Sequence, residues 1–384
     1  MGTLTKLSAK SLTVGVGMLA AASLSIGAAA AAPTSGDAAA SAGGAKTAKG
    51  ATNSSSRPTV TPAAKTAGTA RFGVAATDNQ ALEAYWTPAR MRAAVPVASS
   101  GDLSAKAGAW STSQQLARQK GMRPVTNDGP LRKVAGAKSK VFTASGKGVT
   151  AAYNPNLPYY SPTAYTAGKV FFTKSDGRNY VCSGTIVNSE GKDSVWTAGH
   201  CVNEGSGGSW HSNWAFVPAY DDDLSNPSPY GTWGAAYLSS RSAWTGSSDF
   251  SQDIGVATMN TNFGWHIADY FGGQGITVNR GKSTYDYAFG YPAETPFDGG
   301  NLMRCQGWTS PEWDAVFFWS QTVKIPCDMT RGSSGGGWLN SYNGDWGYLN
   351  GVNSRIDRIA GPTIMLSPYF DDDAWSLYNY TRYN

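Results

Sequence analysis

Ser334 lies in the run Gly332-Ser333-Ser334-Gly335-Gly336, which sets a hydroxyl on a tight glycine turn where a nucleophile for acyl transfer can stand. The glycines let the backbone turn sharply, and the N–H groups of Gly332 and Ser334 can then converge as an oxyanion hole. Alone the pattern is weak, because glycine- and serine-rich turns are common. Chain order supplies the discrimination. The same five residues fit the Gly-x-Ser-x-Gly elbow of α/β-hydrolases, in which the base follows the serine. His200, His211 and His266 are the only histidines and all precede Ser334, so an elbow would have no base. A subtilisin-like order requires Asp before His and a helix-rich body, which the second half of the chain does not offer. The order His, Asp, Ser remains.

Such a serine needs a base held in position and a carboxylate behind it. Val195-Trp-Thr-Ala-Gly-His-Cys201 ends an apolar strand in small residues and places His200 beside a cysteine able to pin it. His211 and His266 lie in Gly/Ser/Asn/Trp-rich contexts and are expected to be ordinary surface or partly buried residues. Asp253 opens the apolar run Ile254-Gly-Val-Ala257, which should bury it. Its rival Asp249 sits in a polar Ser-Ser-Asp-Phe-Ser loop and is expected to be solvated. The four cysteines, Cys182, Cys201, Cys305 and Cys327, allow three pairings. Cys182 with Cys201 and Cys305 with Cys327 is preferred, because each bond closes a short loop. No Cys-x-x-Cys spacing supports zinc.

The elements that must carry these residues divide the chain unevenly. Residues 1–32 carry Lys6 and Lys10, then an uncharged Ala/Val/Leu/Gly run ending in alanines before Pro33, the layout of a secretory signal peptide. No later run reaches the ~20 apolar residues of a membrane span, so a secreted, extracellular product is expected, with no membrane partner. Residues 33–158 read as a low-complexity linker and a basic pro-region, with one or two short helices around Tyr85-Trp86-Thr87-Pro88 and Met91. Residues 33–150 hold 16 Lys/Arg against 5 Asp/Glu, and residues 151–384 hold 13 against 21. A basic leader that docks on its own acidic body explains this better than a nucleic-acid arm. Residues 159–384 form the third segment, where short apolar runs alternate with Gly, Asn, Ser and Pro and spell strands. Only the tail suits a helix, with Asp372 or Asp373 capping Ala374–Asn379.

With these pieces in order, the chain resembles the secreted trypsin-fold serine peptidases of the glutamyl-endopeptidase-like (V8-like) branch. The matching pieces are Lys169-Val-Phe-Phe-Thr173, Val181-Cys-Ser-Gly-Thr185, Thr197-Ala-Gly-His-Cys201, Asp253-Ile-Gly255, Gly290-Tyr-Pro292, Cys327-Asp-Met-Thr330 and Gly332-Ser-Ser-Gly-Gly336. Tyr85-Trp-Thr-Pro-Ala-Arg-Met91 also resembles a segment of such precursors. The resemblance implies an all-β fold of two six-stranded antiparallel barrels, chymotrypsin- or trypsin-like, with the triad His200, Asp253 and Ser334 at their junction. It implies a serine endopeptidase made as a precursor, without cofactor or metal, acting on polypeptides and inhibited by its own pro-region. A monomer is expected.

Two details depart from or blur the pattern. Most trypsin-like enzymes carry Asp before the nucleophile, paired with a newly made N-terminal amine, and Ser333 stands there instead. The leader is therefore expected to inhibit by covering the cleft, without its removal creating a particular N-terminus. Asp328 aligns with the position that gives trypsin its Arg/Lys preference, yet Asp is common in this branch's Cys-Asp-Met-Thr run. Glutamate preference would want a His beside Ser354, where Asn353 stands. Asp328, Asn353 and Ser354 are thus pocket candidates without an assigned preference.

A rival class is an aromatic-rich carbohydrate-binding β module, given eleven tryptophans between 210 and 375. It would not need His200, Asp253 and Ser334 in that order. The clusters Asp221-Asp-Asp223 and Asp371-Asp-Asp373 offer oxygens to calcium, although solvated loops explain them as well.

Overall fold

The computed structural model describes residues 69–73, 79–97, 125–127, 162–312, 321–356 and 364–384. The signal peptide expected at 1–32 and the linker that follows lie outside the described residues. Val60–Asn384 form one compact unit. The first described elements are β1 (Thr69–Gly73), α1 (Asn79–Tyr85), α2 (Pro88–Ala93), β2 (Val95–Pro96) and β3 (Val125–Asn127). The body follows with α3 (Pro162–Thr166), β4 (Ala167–Thr173), β5 (Asn179–Val187), β6 (Ser194–Thr197), β7 (Ser212–Pro218), β8 (Trp233–Arg241), α4 (Ser242–Ser247) and β9 (Gly255–Met259). Next come α5 (Ile267–Phe271), β10 (Gly275–Val278), β11 (Tyr285–Gly290), β12 (Met303–Trp308) and β13 (Ser310–Pro311). The chain ends with β14 (Thr322–Pro326), β15 (Gly337–Asn340), β16 (Tyr348–Val352), β17 (Arg355–Ile356), β18 (Ile364–Pro368) and α6 (Asp372–Thr381). No described helix is long and apolar enough to cross a membrane.

Strands β4 to β9 pair in the order β7-β4-β5-β6-β9, and β8 joins β7 to β9, which closes an antiparallel six-stranded barrel. All seven residues of β4 are buried, although successive side chains of a strand point to opposite faces. Both faces are covered. Phe171 meets Trp86 at 5.3 Å between ring centroids, and Phe172 stacks on His211 at 4.2 Å. Lys169 of the same strand is also buried. Its Nζ donates to the Gly299 carbonyl and lies 4.3 Å over the Tyr220 ring, and burial pulls its basicity down to about 8 against the opposing pull of Asp222 and Asp298.

The second half is less closed than a second six-stranded barrel. It has one sheet, β12-β11-β15-β16-β10-β3, and a separate sheet, β13-β14-β18-β17. Among the described residues, apolar side chains join them instead of a continuous ladder: Ala288, Met303, Val323, Ile325, Trp338 and Met365 share one cluster. The Cys305–Cys327 disulfide ties β12 to the end of β14, where Pro326 has no N–H to extend a ladder.

Described residues between 69 and 97 are built into the first barrel. Strand β1 pairs antiparallel with β8 from Thr69↔Arg241 to Gly73↔Tyr237, and β2 pairs parallel with β5 through Val95↔Tyr180 and Pro96↔Val181. Helix α2 starts as its sequence dictates, with Thr87 accepting from the Arg90 N–H and Pro88 in the first turn. Leu82, Trp86, Met91 and Val97 are buried in the same core cluster as the barrel's interior residues. Polar groups fix the register: Asn79 takes the Gly234 N–H and donates to the Thr261 carbonyl, and Trp86 Nε1 donates to the Asn213 carbonyl. Arg92 pairs with Asp222 at 2.7 Å, a contact between the basic and acidic parts of the chain.

Helix α6 spans Asp372–Thr381, and its cap is Asp371, one residue earlier than expected, accepting from the Asp373 N–H. Asp373 pairs with Arg241, and Asp372 accepts from Asn279. In the other acidic cluster Asp221 accepts from the Asp223 N–H. These carboxylates already serve as caps and ion pairs.

Candidate active site

The turn carrying His200 follows β6 and is a single 3-10 turn, Gly199–Cys201. Asp253 sits at the end of a second 3-10 turn, Phe250–Gln252, immediately before β9. Strands β6 and β9 are paired, with Thr197 opposite Gly255, so the barrel ladder itself brings the two residues together. Asp253 is wholly buried. Its Oδ1 accepts from the His200 backbone N–H at 2.8 Å, and its Oδ2 lies 2.8 Å from His200 Nδ1. A carboxylate cannot donate, so Nδ1 carries the hydrogen and Nε2 presents its lone pair. Among the described residues His200 Nε2 has no hydrogen-bond partner. Asp249, the rival carboxylate, is buried instead of solvated, and it accepts from the Ser251 N–H and hydroxyl.

The Ser334 loop is pressed against the same barrel. Ser183 of β5 donates its N–H to the Ser334 carbonyl at 2.6 Å, and the Ser183 carbonyl accepts from Thr197 Oγ1. Gly335, with φ +81°, has no room for a side chain: a Cβ there would stand 2.0 Å from Thr197 Oγ1 and 2.5 Å from the Ser183 carbonyl oxygen. Gly332, with φ +99°, abuts Tyr291 and Ala293 in the same way. The Ser183 hydroxyl bridges the loop by donating to the Gly332 carbonyl and accepting from the Tyr291 N–H. Neither the Gly332 nor the Ser334 N–H donates to an acceptor among the described residues, as an anion-binding pair requires. Ser333 is buried and its hydroxyl donates to the Thr330 carbonyl, so it is occupied locally.

The Cys182–Cys201 disulfide joins β5 to the residue after His200, and the second bond is Cys305–Cys327, the pairing preferred from the sequence. Cys182, His200 and Cys201 place a ligand-type atom each within 4.8 Å of one another. The sulfurs are consumed in the disulfide, so this trio offers no thiolate to a metal.

The pocket candidates fall into different roles. Ser354 donates its hydroxyl to Asp253 Oδ2 at 2.7 Å. Asn353 is wholly buried: its amide donates to the Phe289 and Ser333 carbonyls and accepts from Trp338 Nε1. Its polar atoms are thus spent on holding the Ser334 loop. Asp328 is half-buried beside the second disulfide. The other two histidines also separate. His266 is nearly half exposed and pairs with Asp193. His211, expected at or near the surface, is 1 % exposed, and its Nε2 lies 3.0 Å from the His200 carbonyl oxygen. Trp196, Trp214, Trp233, Trp244 and Trp338 are fully buried, so these aromatics build the core and present no platform for sugars.

A closed antiparallel barrel, a second pair of sheets and a terminal helix, with a glycine-bound serine loop seated on Ser183 and Thr197 and a buried His–Asp pair at the end of the same strands, define a trypsin-like fold. No family model matches the sequence, and no curated protein matches it. Among solved structures, the chain is similar to the protease Anisep from Arthrobacter nicotinovorans, with 38% identity, a TM-score of 0.53, and coverage of 58% of this chain and 98% of that one. It is similar as well to AL20, a thermostable serine protease from an extremophilic microorganism, with 37% identity, a TM-score of 0.52, and coverage of 57% and 97%. The chain belongs to the serine proteases.

Proposed function

We propose that this chain is a secreted serine endopeptidase, made as a precursor, that hydrolyses peptide bonds through His200, Asp253 and Ser334. The observation that carries the reading is the buried Asp253 carboxylate, which grips both the backbone N–H and the Nδ1 of His200. This fixes the tautomer whose Nε2 is a base. In the acylation step His200 Nε2 takes the Ser334 Oγ proton as Oγ bonds to the substrate carbonyl carbon. The oxygen of that carbonyl becomes an oxyanion, and the N–H groups of Gly332 and Ser334 receive it. Collapse breaks the C–N bond as Nε2 returns the proton to the leaving amine. Water then repeats the sequence on the acyl-enzyme, releasing the acid and restoring Ser334. Asp253 stays ionised and stabilises the imidazolium at each stage. No cofactor enters these steps.

The precursor reading rests on β2. Strand β4 occupies one edge of β5 along its length, and β2 pairs on the other edge at Tyr180 and Val181. Two residues further on, about 7 Å along a strand, the Ser183 N–H holds the Ser334 carbonyl. The leader thus takes the edge an extended substrate would pair with beside the nucleophile. Because Ser333 carries no charge and its hydroxyl is occupied by the Thr330 carbonyl, release of the leader exposes the edge without requiring a new N-terminal amine. The test is hydrolysis of a denatured protein by the full chain, by chain cut between residues 98 and 161, and by the cut Ser334→Ala form. Activity that rises on cutting and vanishes in the variant is expected; equal activity before and after cutting would refute the precursor reading.

A further inference from the structure

The two backbone polar groups of His200, in the successive peptides on either side of its Cα, are both held by side chains. Its N–H goes to Asp253 Oδ1, and its carbonyl oxygen lies 3.0 Å from His211 Nε2. A carbonyl only accepts, so Nε2 of His211 carries the hydrogen and donates it. The ring is clamped: it stacks on Phe172 at 4.2 Å with 10° between planes, and its own backbone N–H donates to the Val202 carbonyl. Burial pushes its basicity down to about 4, which keeps a neutral ring with one donor nitrogen in the working range of a histidine base. Two indoles act on the same stretch of backbone. Trp214 Nε1 donates to the Cys201 carbonyl at 2.8 Å and Trp244 Nε1 to the Asn203 carbonyl at 3.0 Å.

We propose that His211 is a positioning residue for the peptidase reaction: its Nε2–H hydrogen bond to the His200 carbonyl sets the backbone from which the general base reaches Ser334. The inference rests on the triad reading above. His211 has no role at the reacting atoms and acts only through the carbonyl it holds. A rigid peptide with a second anchor on the far side of Asp253 restricts the tilt of the His200 ring, and errors near 1 Å in such placement cost about a hundredfold in rate.

The test compares His211→Gln, whose amide nitrogen reaches the position of Nε2, with His211→Asn, whose amide falls short, and His211→Phe, which keeps the stack but has no donor. Turnover is measured on chain cut between residues 98 and 161 and expressed per Ser334 labelled by a fluorophosphonate, so unfolded protein does not count. The expected result is a kcat lowered about 10- to 100-fold in the Asn and Phe variants, with KM unchanged, and restored to within about threefold by Gln. The low-field proton resonance of the His200 Nδ1–H should move in Asn and Phe and return in Gln. Parent-like kcat per labelled site in both Asn and Phe, with only the melting temperature lowered, would overturn the proposal. If Phe does not fold, the Asn and Gln pair decides alone. Failure of the folded parent, cut between residues 98 and 161, to be labelled at Ser334 would instead overturn the triad reading on which the proposal rests.

Discussion

Ser354 donates its hydroxyl to Asp253 Oδ2 at 2.7 Å, the same carboxylate oxygen that faces His200 Nδ1. A residue of the second half, in the chain between β16 and β17, thereby anchors a carboxylate of the first barrel. The arrangement shares one buried carboxyl oxygen between a ring nitrogen and a hydroxyl, the hydrogen bonding that a wholly buried polar group needs.

Removing that hydroxyl leaves the pairing with His200 but frees one side of Asp253. Ser354→Ala is expected to lower kcat about tenfold with little change in KM, as loss of one hydrogen bond to a charged group implies. Asp253→Asn should cost about 10⁴ in kcat, because an amide no longer fixes the tautomer. Steady-state kinetics on one peptide substrate measures both, and similar losses in the two variants would contradict the division of roles.

Gly335 combines a left-handed backbone with a barrel wall at van der Waals distance or closer. Gly335→Ala should destabilise the protein by about 3 kcal/mol or more, from backbone strain and overpacking together. Denaturant unfolding reads this, and a parent-like midpoint would mean that the Ser334 loop is not seated on Thr197 and Ser183.

Trp86 precedes the barrel strands in sequence but packs with them, being 2 % exposed and set against Phe171. Trp86→Ala in the full chain is expected to cost about 3–5 kcal/mol. A loss below about 1 kcal/mol would show that the leader only rests on the barrel.

His211 also ties stability to pH. Its basicity falls from 6.5 to about 4 on burial, so between these values the unfolded chain binds a proton that the folded chain refuses. Stability therefore declines as pH drops through that window, by about 3 kcal/mol in total, and this group contributes nothing further above it. Unfolding measured at pH 7 and pH 4.5 should show a smaller acid loss in His211→Gln than in the parent; equal losses would assign the acid sensitivity to other groups.

The His200–Asp253 pair was legible because the residue types are few and the order read against Ser334 is restrictive: three histidines, one glycine-bound serine, and Asp253 at the mouth of an apolar run. Cysteine spacing made the disulfides legible. His211 was not, since a histidine after Trp210 and before a strand carries no mark of the carbonyl it will meet, and only the apolar run Trp214-Ala-Phe-Val217 just beyond it hinted at burial. Ser354 was read as a pocket residue because its neighbours in sequence suggested a substrate strand, whereas its partner lies 101 positions away. Two short helices in the leader followed from Tyr85-Trp86-Thr87-Pro88. Their seat on the barrel did not, because pairing such as Thr69 with Arg241 depends on edges that exist only after the sheet has formed. The second half, expected to close as a barrel, is two sheets held by side chains, a distinction that strand patterns alone do not carry.

The most direct measurement is fluorophosphonate labelling of the chain after a cut between residues 98 and 161, with the adduct mapped by peptide mass. One adduct per molecule on Ser334 is predicted, with labelling abolished in Ser334→Ala and slowed by orders of magnitude in His200→Gln. An unlabelled Ser334 in folded, cut protein, or reaction undiminished without the His200 imidazole, would contradict the account.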